Sequence, residues 1–347
     1  MSIDQIAKLA GVSVSTVSNF LNHPHKVAPE TGEAIREALK TSGWQPDIRR
    51  RGPKSAGRVG VKTGNISLVM ITTFPATEMW KMHTIAEFLS AVECELNRRH
   101  LSLTPVNVTR ECIFPYADLS RHCDGVILFG TPDSDEAVLR LEKALGSLPA
   151  VWCSQKPAAT KRPIDSVYYD GEKIGAMAAE YLFYRGHRRA ALFNGSTIHL
   201  AYAERAEAFL RRGGELGMEI DVYAQTLDED EFPDAAGFSH LTEAYLAGPQ
   251  AAGAFFCSDD VMLGVYEELR VRRGGEPELD MIGCNNNEEL LRFFHRRPAS
   301  IDINFTQVGS WTVLHLLSLV NRCQEATGET TRINPRLIPG EQVSPDA

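Results

Sequence analysis

Apolar residues recur at helical spacing near the start of the chain and mark three short segments. The first helix, residues 2–10, should end at Gly11 in a left-handed conformation. Ser13 can cap a second helix over residues 14–21, and a proline suits the first turn of a third helix over residues 29–43. Two helices joined by a turn that contains glycine are typical of the helix-turn-helix, which places its second helix in the major groove of DNA.

The outward positions of the predicted second helix carry small or polar side chains. They are Val14, Ser15, Ser18, Asn19 and Asn22. Short polar groups can bind base edges or phosphates, and an asparagine can form two hydrogen bonds to adenine. The alternative is a solvated face of a helical hairpin with no role in binding.

From residue 65 the pattern changes to short apolar runs that alternate with amphipathic helices. The runs predict strands over residues 66–72, 101–108, 125–129, 150–153, 166–169, 189–193, 252–257 and 279–283. Helices are predicted between most of them, among others over residues 79–98, 172–184 and 205–212. This alternation is typical of doubly wound parallel sheets. So many strands exceed one ordinary sheet, and we therefore expect an α/β core of two lobes behind an all-α headpiece.

Charge is divided unevenly along the chain. Residues 1–62 hold ten lysines and arginines against five acidic residues, a balance of +5. Because the whole chain carries −9, the remainder carries −14. A basic head on an acidic body predicts that only the head meets a polyanion such as DNA. The alternative is a chance clustering of surface charge.

Composition narrows the class of protein. An apolar content of 43% and a charged content of 23% are those of a folded globular chain. No apolar run approaches the roughly 20 residues that span a bilayer. The first residues also lack the layout of a secretory signal, so we expect a cytoplasmic protein with no membrane partner. The seven cysteines are scattered and never spaced as CxxC, which disfavours disulfides and a structural metal site.

The headpiece resembles that of the lactose-repressor (LacI) family. The resemblance rests on IDQIAKLAGVSVSTVSNFLN at residues 3–22, on V-x-x-E-T at residues 27–31 and on SGWQP at residues 42–46. It implies base contacts from Val14, Ser15 and Asn19. It also implies contacts to the DNA backbone from Ser13, Thr16, Asn22, Thr31 and Trp44. Asn19 stands where the family commonly has arginine, so we expect a different operator preference at that base pair.

The linker departs from the family, in which this segment forms a short hinge helix that wedges a leucine into the minor groove. Here Gly52 and Pro53 occupy that segment, and both are unfavourable inside a helix. We therefore expect an extended basic segment that inserts side chains into a narrow minor groove. The candidates are Arg49, Arg50, Arg51 and Lys54. The alternative is a linker that touches only phosphates.

The resemblance continues through the core, above all in R-A-E-A-F at residues 205–209 and S-D-D-V-M-L-G at residues 258–264. It implies a ligand between the two lobes, where side chains follow the carboxyl ends of strands. The effector-binding candidates are Arg205, Phe232, Asp170, Ser258, Asp259, Asn285 and Trp80. Asn285 stands where the family usually has an aspartate that anchors the ligand. For the aromatic residues Trp80 and Phe232, ordinary core packing remains the alternative.

These patterns predict a headpiece at 1–48, a basic linker at 49–63 and an effector-binding and dimerisation core at 64–347. The first lobe is expected at 64–168 plus 299–325, and the second at 169–298 plus the C-terminal segment. The predicted function is a transcriptional regulator, a repressor, that binds a pseudo-palindromic operator as a homodimer under control of a small molecule.

A sugar or sugar derivative is the expected effector. Two alternatives stay open: a ligand-binding protein of the periplasmic type without DNA function, and a regulator whose pocket no longer works. The phosphate-loop, dinucleotide, hydrolase and zinc-protease motifs are all absent from the sequence, so we expect no enzyme activity and no cofactor.

Overall fold

The computed structural model describes residues 3–22, 27–42, 61–72, 82–114, 119–153, 157–197, 199–226 and 234–341. The chain divides into two compact units, residues 1–56 and 57–347. Within the described residues, no helix is both long and apolar enough to cross a membrane.

The first unit contains three helices, α1 (Ile3–Leu9), α2 (Val14–Asn22) and α3 (Pro29–Ser42). Ile6, Val17 and Ile35, one from each helix, are fully buried and form its small core. Gly11 has a φ of 63°, which confirms the predicted left-handed end of α1. Ser13 caps α2, because its Oγ accepts a hydrogen bond from the backbone N–H of Thr16 at 3.1 Å.

In the second unit, a first lobe is built on a parallel sheet with the strand order β11-β5-β4-β3-β1-β2. Its strands are β1 (Asn65–Ile71), β2 (Ser102–Val108), β3 (Gly125–Gly130), β4 (Ala150–Trp152), β5 (Asp165–Tyr169) and β11 (Thr330–Ile333). Its helices are α4 (His83–Asn97), α5 (Asp135–Leu145) and α11 (Phe305–Val320).

A second lobe is built on a sheet with the order β12-β10-β9-β8-β6-β7, parallel except for β12. Its strands are β6 (Arg189–Asn194), β7 (Glu219–Ala224), β8 (Gly253–Phe256), β9 (Asp280–Cys284), β10 (Ala299–Asp302) and β12 (Arg336–Ile338). Its helices are α6 (Gly171–Tyr184), α7 (Leu200–Glu215), α8 (Ala235–Ala247), α9 (Asp259–Arg273) and α10 (Glu288–Leu291). The two-lobed α/β architecture is therefore as predicted.

Each predicted strand is present, with ends within one residue of those expected. Four strands were missed: β7, β10, β11 and β12. Three of the four lie at sheet edges, where one side faces solvent and the apolar run is broken by polar residues. Because β10 pairs with β9 in the second sheet, the chain returns to the first lobe with α11 rather than at residue 299.

The chain passes between the lobes three times, after β5, after β10 and between β11 and β12. The carboxylate of Asp165 fixes the segment that leads from α11 into β11, because it accepts backbone N–H groups of Thr327 and Gly328 at 2.8 and 2.6 Å. It also bonds the ring Nε2 of His315 at 2.8 Å. Although burial alone would raise it, these hydrogen bonds hold the pKa of Asp165 below its usual value.

Asp124 similarly fixes the first described residues of the core unit. Its two carboxylate oxygens accept the backbone N–H groups of Lys62, Thr63 and Gly64 at distances between 2.7 and 3.0 Å. Hydrogen bonds to a carboxylate are among the stronger ones in proteins. The point at which the chain enters the core is therefore anchored to the turn before β3.

Candidate functional site

The exposed start of α2 is the candidate DNA-reading surface. Ser13, Val14, Ser15 and Asn19 are exposed, and Val14 is 40% exposed although it is apolar. The Ser13 Oγ lies 2.7 Å from the Ser15 Oγ and 2.8 Å from the Thr16 Oγ1. The N-terminus of α2 thus presents a connected set of hydroxyls beside the first backbone N–H groups of the helix. This arrangement is suited to binding a phosphate.

The remaining headpiece and linker candidates are either less exposed than the start of α2 or lie outside the described residues. Ser18 and Thr31 are half-buried, in α2 and in the first turn of α3. The side chain of Asn22 lies outside the description. So do the remaining candidates, Trp44, Arg49, Arg50, Arg51 and Lys54.

In the core, Arg205 lies at the junction of the two lobes. It belongs to α7 of the second lobe, and its guanidinium lies over the ring of Tyr169, at the end of β5 in the first lobe, with the Cζ 5.3 Å from the ring centroid. Arg205 is only 2% exposed. The expectation that it starts a helix is wrong, because α7 begins five residues earlier at Leu200.

The guanidinium of Arg205 is poorly satisfied for a buried cation. Its Nη1 donates to the backbone carbonyl of Cys257 at 2.6 Å, whereas its buried Nε has no hydrogen-bond partner. The backbone of Arg205 is fixed by close packing of α6, since a Cβ at Gly175 would collide with the Arg205 carbonyl oxygen. The side chain is thus held in place with a free donor.

Ser258 and Asp259 lie after β8 and are engaged with the protein itself. Ser258 caps α9, accepting from the N–H of Val261 at 3.3 Å, and also receives the hydroxyl of Tyr202 at 3.1 Å. Asp259 is fully buried and accepts from the N–H of Asn287 and the Oγ of Ser300, both at 2.8 Å. The bonds of Asp259 join α9 to the segment after β9 and to β10, and those of Ser258 join the start of α9 to α7, so both residues fix the carboxyl edge of the second sheet.

Asn285 follows β9 in a conformation unusual for a residue with a side chain, with a φ of 103°. Its backbone N–H donates to the carbonyl of Ile301 at 2.9 Å. Its side-chain Oδ1 is buried and has no hydrogen-bond partner. Asn285 therefore offers an unused acceptor at the carboxyl edge of the second sheet, where Arg205 contacts Cys257 after the neighbouring strand.

The other effector candidates differ in their placement. Asp170 caps α6 by accepting the N–H of Lys173 at 3.2 Å, and it lies 3.7 Å from Arg332 of β11. It therefore stabilises the passage between the lobes. Trp80 and Phe232 lie outside the described residues.

Sequence reasoning missed three residues that surround Arg205. They are Tyr169, Tyr202 and Cys257, each adjacent or close in sequence to a residue that was proposed. The sequence held a signal for two of them: Tyr169 is the last residue of one strand, and Cys257 directly follows another. What the sequence could not show is that one guanidinium contacts both Tyr169 and Cys257, and that Tyr202 bonds Ser258, the residue after Cys257.

Comparison with known proteins places both units. A family model described as bacterial regulatory proteins, lacI family, matches residues 2–47. A model described as a periplasmic binding protein-like domain matches residues 179–342, and the two matches together cover more than half of the chain. Residues 2–47 therefore carry a DNA-binding domain of the lacI family, and residues 179–342 match a periplasmic binding protein-like domain.

Curated relatives align with this chain over nearly its whole length. The HTH-type transcriptional repressor PurR of Haemophilus influenzae (strain PittEE) is 26% identical over 345 residues, 97% of each chain. The HTH-type transcriptional regulator CelR of Thermobifida fusca is 25% identical over 337 residues, 95% of this chain and 93% of that protein.

Solved structures share the fold. A complex of the transcriptional regulator CelR with cellobiose matches with a TM-score of 0.67 and 20% identity, over 98% of this chain and 99% of that one. The lac repressor dimer bound to operator and the anti-inducer ONPF matches with a TM-score of 0.66 and 18% identity, over 98% of each chain. With its lacI-family DNA-binding domain and its alignment with transcriptional regulators over nearly the whole chain, the protein is a DNA-binding transcriptional regulator, and a purely periplasmic-type binding protein is not favoured.

Asp259 leads to a prediction about pH. Burial raises the pKa of its carboxyl to about 7, above its ordinary value near 4 in an unfolded chain. Between these values the unfolded state holds fewer protons than the folded state, so the free energy of unfolding should fall as pH rises from about 4 to 7. A shift of this size corresponds to at most about 4 kcal/mol.

The measurement is urea unfolding of the wild type and of Asp259→Asn at several pH values from 5 to 8. The asparagine keeps the hydrogen-bond acceptor and does not titrate, so the variant should lose that part of the pH dependence. Identical pH profiles for the two proteins would contradict the assignment.

Proposed function

We propose that this regulator binds a pseudo-palindromic operator as a homodimer and that an effector bound between the lobes of its core controls operator affinity. The observation that carries the effector site is Arg205, a buried cation at the junction of the lobes with an unpartnered Nε. As a regulator, the protein would bind and release ligands without catalysing a reaction. Because it would act on operator DNA, we expect it in the cytoplasm.

A working pocket accounts for the buried polar atoms better than a pocket that has lost its ligand. A buried donor or acceptor without a partner costs about 1–3 kcal/mol, and more if it is charged. The Arg205 Nε and the Asn285 Oδ1 are both buried without a hydrogen-bond partner. Arg205 bonds Cys257 after β8, and Asn285 follows the neighbouring β9, so both lie at the same edge of the second sheet. A ligand that accepts from one and donates to the other would remove both costs.

We propose Arg205, Tyr169 and Asn285 as the primary effector contacts. Ser258, Asp259 and Asp170 would act through the shape of the pocket, because each is already hydrogen-bonded to the protein. Trp80 and Phe232 stay as proposed stacking residues on the strength of their sequence positions. The family member solved with cellobiose supports a sugar or sugar derivative as the ligand class.

Coupling between ligand and DNA would follow from the three chain passages between the lobes. A ligand that holds the lobes closed favours one arrangement of the core and thereby one spacing of the two headpieces in the dimer. A family member solved as a dimer on its operator supports this assembly. Half-sites would be about one helical turn, 34–36 Å, apart or a multiple of that distance.

The test is to select an operator from random duplexes and to titrate it by fluorescence anisotropy with and without a panel of sugars. The expected result is a palindromic site bound by two chains, with an affinity that at least one compound changes about tenfold or more. A site bound by one chain, or an affinity that no binding compound changes, would contradict the proposal.

The headpiece yields a separate prediction. Asn19→Ala and Ser15→Ala should each weaken specific binding by about 1–3 kcal/mol for each lost base contact, with little change in non-specific binding. Both side chains are exposed on α2, and neither contributes to the headpiece core. Anisotropy titrations on operator and random duplexes measure both quantities. Glu37→Ala, at an exposed position of α3, is the control, and equal losses on both duplexes would exclude base reading.

A further inference from the structure

The junction of the two lobes holds a buried positive charge that no described carboxylate balances. Arg205 is buried, and its described hydrogen bond goes to a neutral backbone carbonyl, that of Cys257. No described carboxylate lies within ion-pair distance, 4.0 Å, of its guanidinium. Burying a cation without an anion is among the most costly arrangements in a protein, which makes the absence of a partner informative.

Two described acidic residues on neighbouring segments are paired with other cations. Glu204, next to Arg205 in the chain, is paired with Arg332 at 2.8 Å. Asp302, at the end of β10, is paired with Arg336 at 2.6 Å. Because each of these carboxylates forms an ion pair with another arginine, neither balances the charge of the Arg205 guanidinium.

Asp259 does not fill this role either. Its oxygens accept from the Asn287 N–H and the Ser300 Oγ rather than from Arg205. Because burial raises its pKa to about 7, the carboxyl carries only part of a negative charge at neutral pH. At Asn285 the chain has an amide, which supplies a buried acceptor atom but no charge.

We propose that the effector is an anionic polyhydroxylated compound whose carboxylate or phosphate binds the Arg205 guanidinium and one of whose hydroxyls donates to the Asn285 Oδ1. This inference rests on the proposed effector site and names its ligand class. The edge of a guanidinium that contains Nε presents two parallel N–H groups, which match the two oxygens of a carboxylate or phosphate. The Nη1 bond to Cys257 holds the group in place.

The first experiment needs no ligand. Asn285→Asp places a carboxylate in the same pocket, in a backbone conformation that asparagine and aspartate both tolerate. If the guanidinium lacks an anion, the unliganded full-length variant should melt about 2–6 °C above the wild type. If the charge is already balanced, the new buried carboxylate lowers Tm and the proposal is overturned. Asn285→Ser, which removes the amide and adds no charge, is the matched control and should not raise Tm.

The second experiment compares compounds that share a carbon skeleton. Calorimetric titration and thermal shift are run with glucose, gluconate and glucose 6-phosphate, and with galactose and galactonate, against inorganic phosphate and sodium chloride as controls. The anionic member of a pair should bind at least tenfold more tightly than the neutral one, and Asn285→Asp should remove that advantage. Gluconate or galactonate binding identifies the anion as a carboxylate, and glucose 6-phosphate binding identifies it as a phosphate.

The outcomes separate this proposal from the function on which it rests. A neutral sugar that binds as tightly as its anionic partner overturns the anionic class, even if that sugar changes operator affinity. An anionic compound that binds and loses affinity in Asn285→Asp supports the ligand class, even if operator affinity stays the same and the regulatory proposal fails. If no compound binds, the first experiment tests the proposal by itself: a higher Tm in Asn285→Asp supports an anionic ligand, and a lower Tm overturns it.

Discussion

Arg205→Met should abolish the response of operator binding to effector while leaving operator affinity without effector within about twofold of the wild type. Methionine fills much of the same buried volume but brings no donor and no charge. Losing hydrogen bonds to a charged group costs about 1.5–3 kcal/mol each, so the loss of two should weaken effector binding by a hundredfold or more. The measurement is an operator titration over a range of effector concentrations.

The control for Arg205→Met lies on the same helix. Arg211 is also in α7, but its side chain is 57% exposed, and its ion pair among the described residues is a long one, to Glu172 at 3.5 Å. Arg211→Met should therefore leave both operator binding and the effector response unchanged, since exposed ion pairs contribute little. An unchanged effector response in Arg205→Met would remove Arg205 from the site.

Replacing Arg49, Arg50 and Arg51 together by alanine should weaken operator binding by about a hundredfold at physiological salt. A dimer loses six positive charges, and each lost phosphate contact should flatten the salt dependence by up to about 0.9 in the log-log slope. The residues fall in the linker, outside the described part of the chain, and the prediction rests on their sequence. Binding measured between 50 and 200 mM salt gives both the affinity and the slope.

A control triple variant separates local contacts from total charge. Arg270, Arg272 and Arg273 lie at the end of α9 in the core unit, and their replacement by alanine removes the same charge. This control should leave the salt slope unchanged. An affinity and slope indifferent to the linker arginines would make the linker a passive tether.

The linker also makes a structural prediction. Because Gly52 and Pro53 disfavour a helix, the operator centre should prefer A·T steps and bend less than a wedged leucine would bend it. A complex in which residues 49–55 form a helix with a side chain between base pairs would contradict this.

Local signals were sufficient for the headpiece. Gly11 ends α1 and Ser13 caps α2 through bonds to residues within three or four positions, so short sequence patterns contain all the necessary information. The central strands of the core were equally visible, because a parallel strand buried on both faces is a continuous apolar run, as in β1 with its sequence NISLVMI. Edge strands such as β7 and β11 alternate with polar residues and gave no such run.

The chemistry of the pocket was decided by tertiary structure. The sequence by itself put Arg205, Asp259 and Asn285 near strand ends, and it distinguished an amide from the family's usual aspartate. It could not show that Asp259 accepts a hydrogen bond from Ser300, 41 positions away. Nor could it show that the Arg205 guanidinium lies over the ring of Tyr169 in the other lobe. Satisfaction of a polar atom depends on every neighbour that packing brings within 3.5 Å, and most of those neighbours are distant in the chain. Only the folded core therefore reveals that the Arg205 Nε and the Asn285 Oδ1 are left without partners.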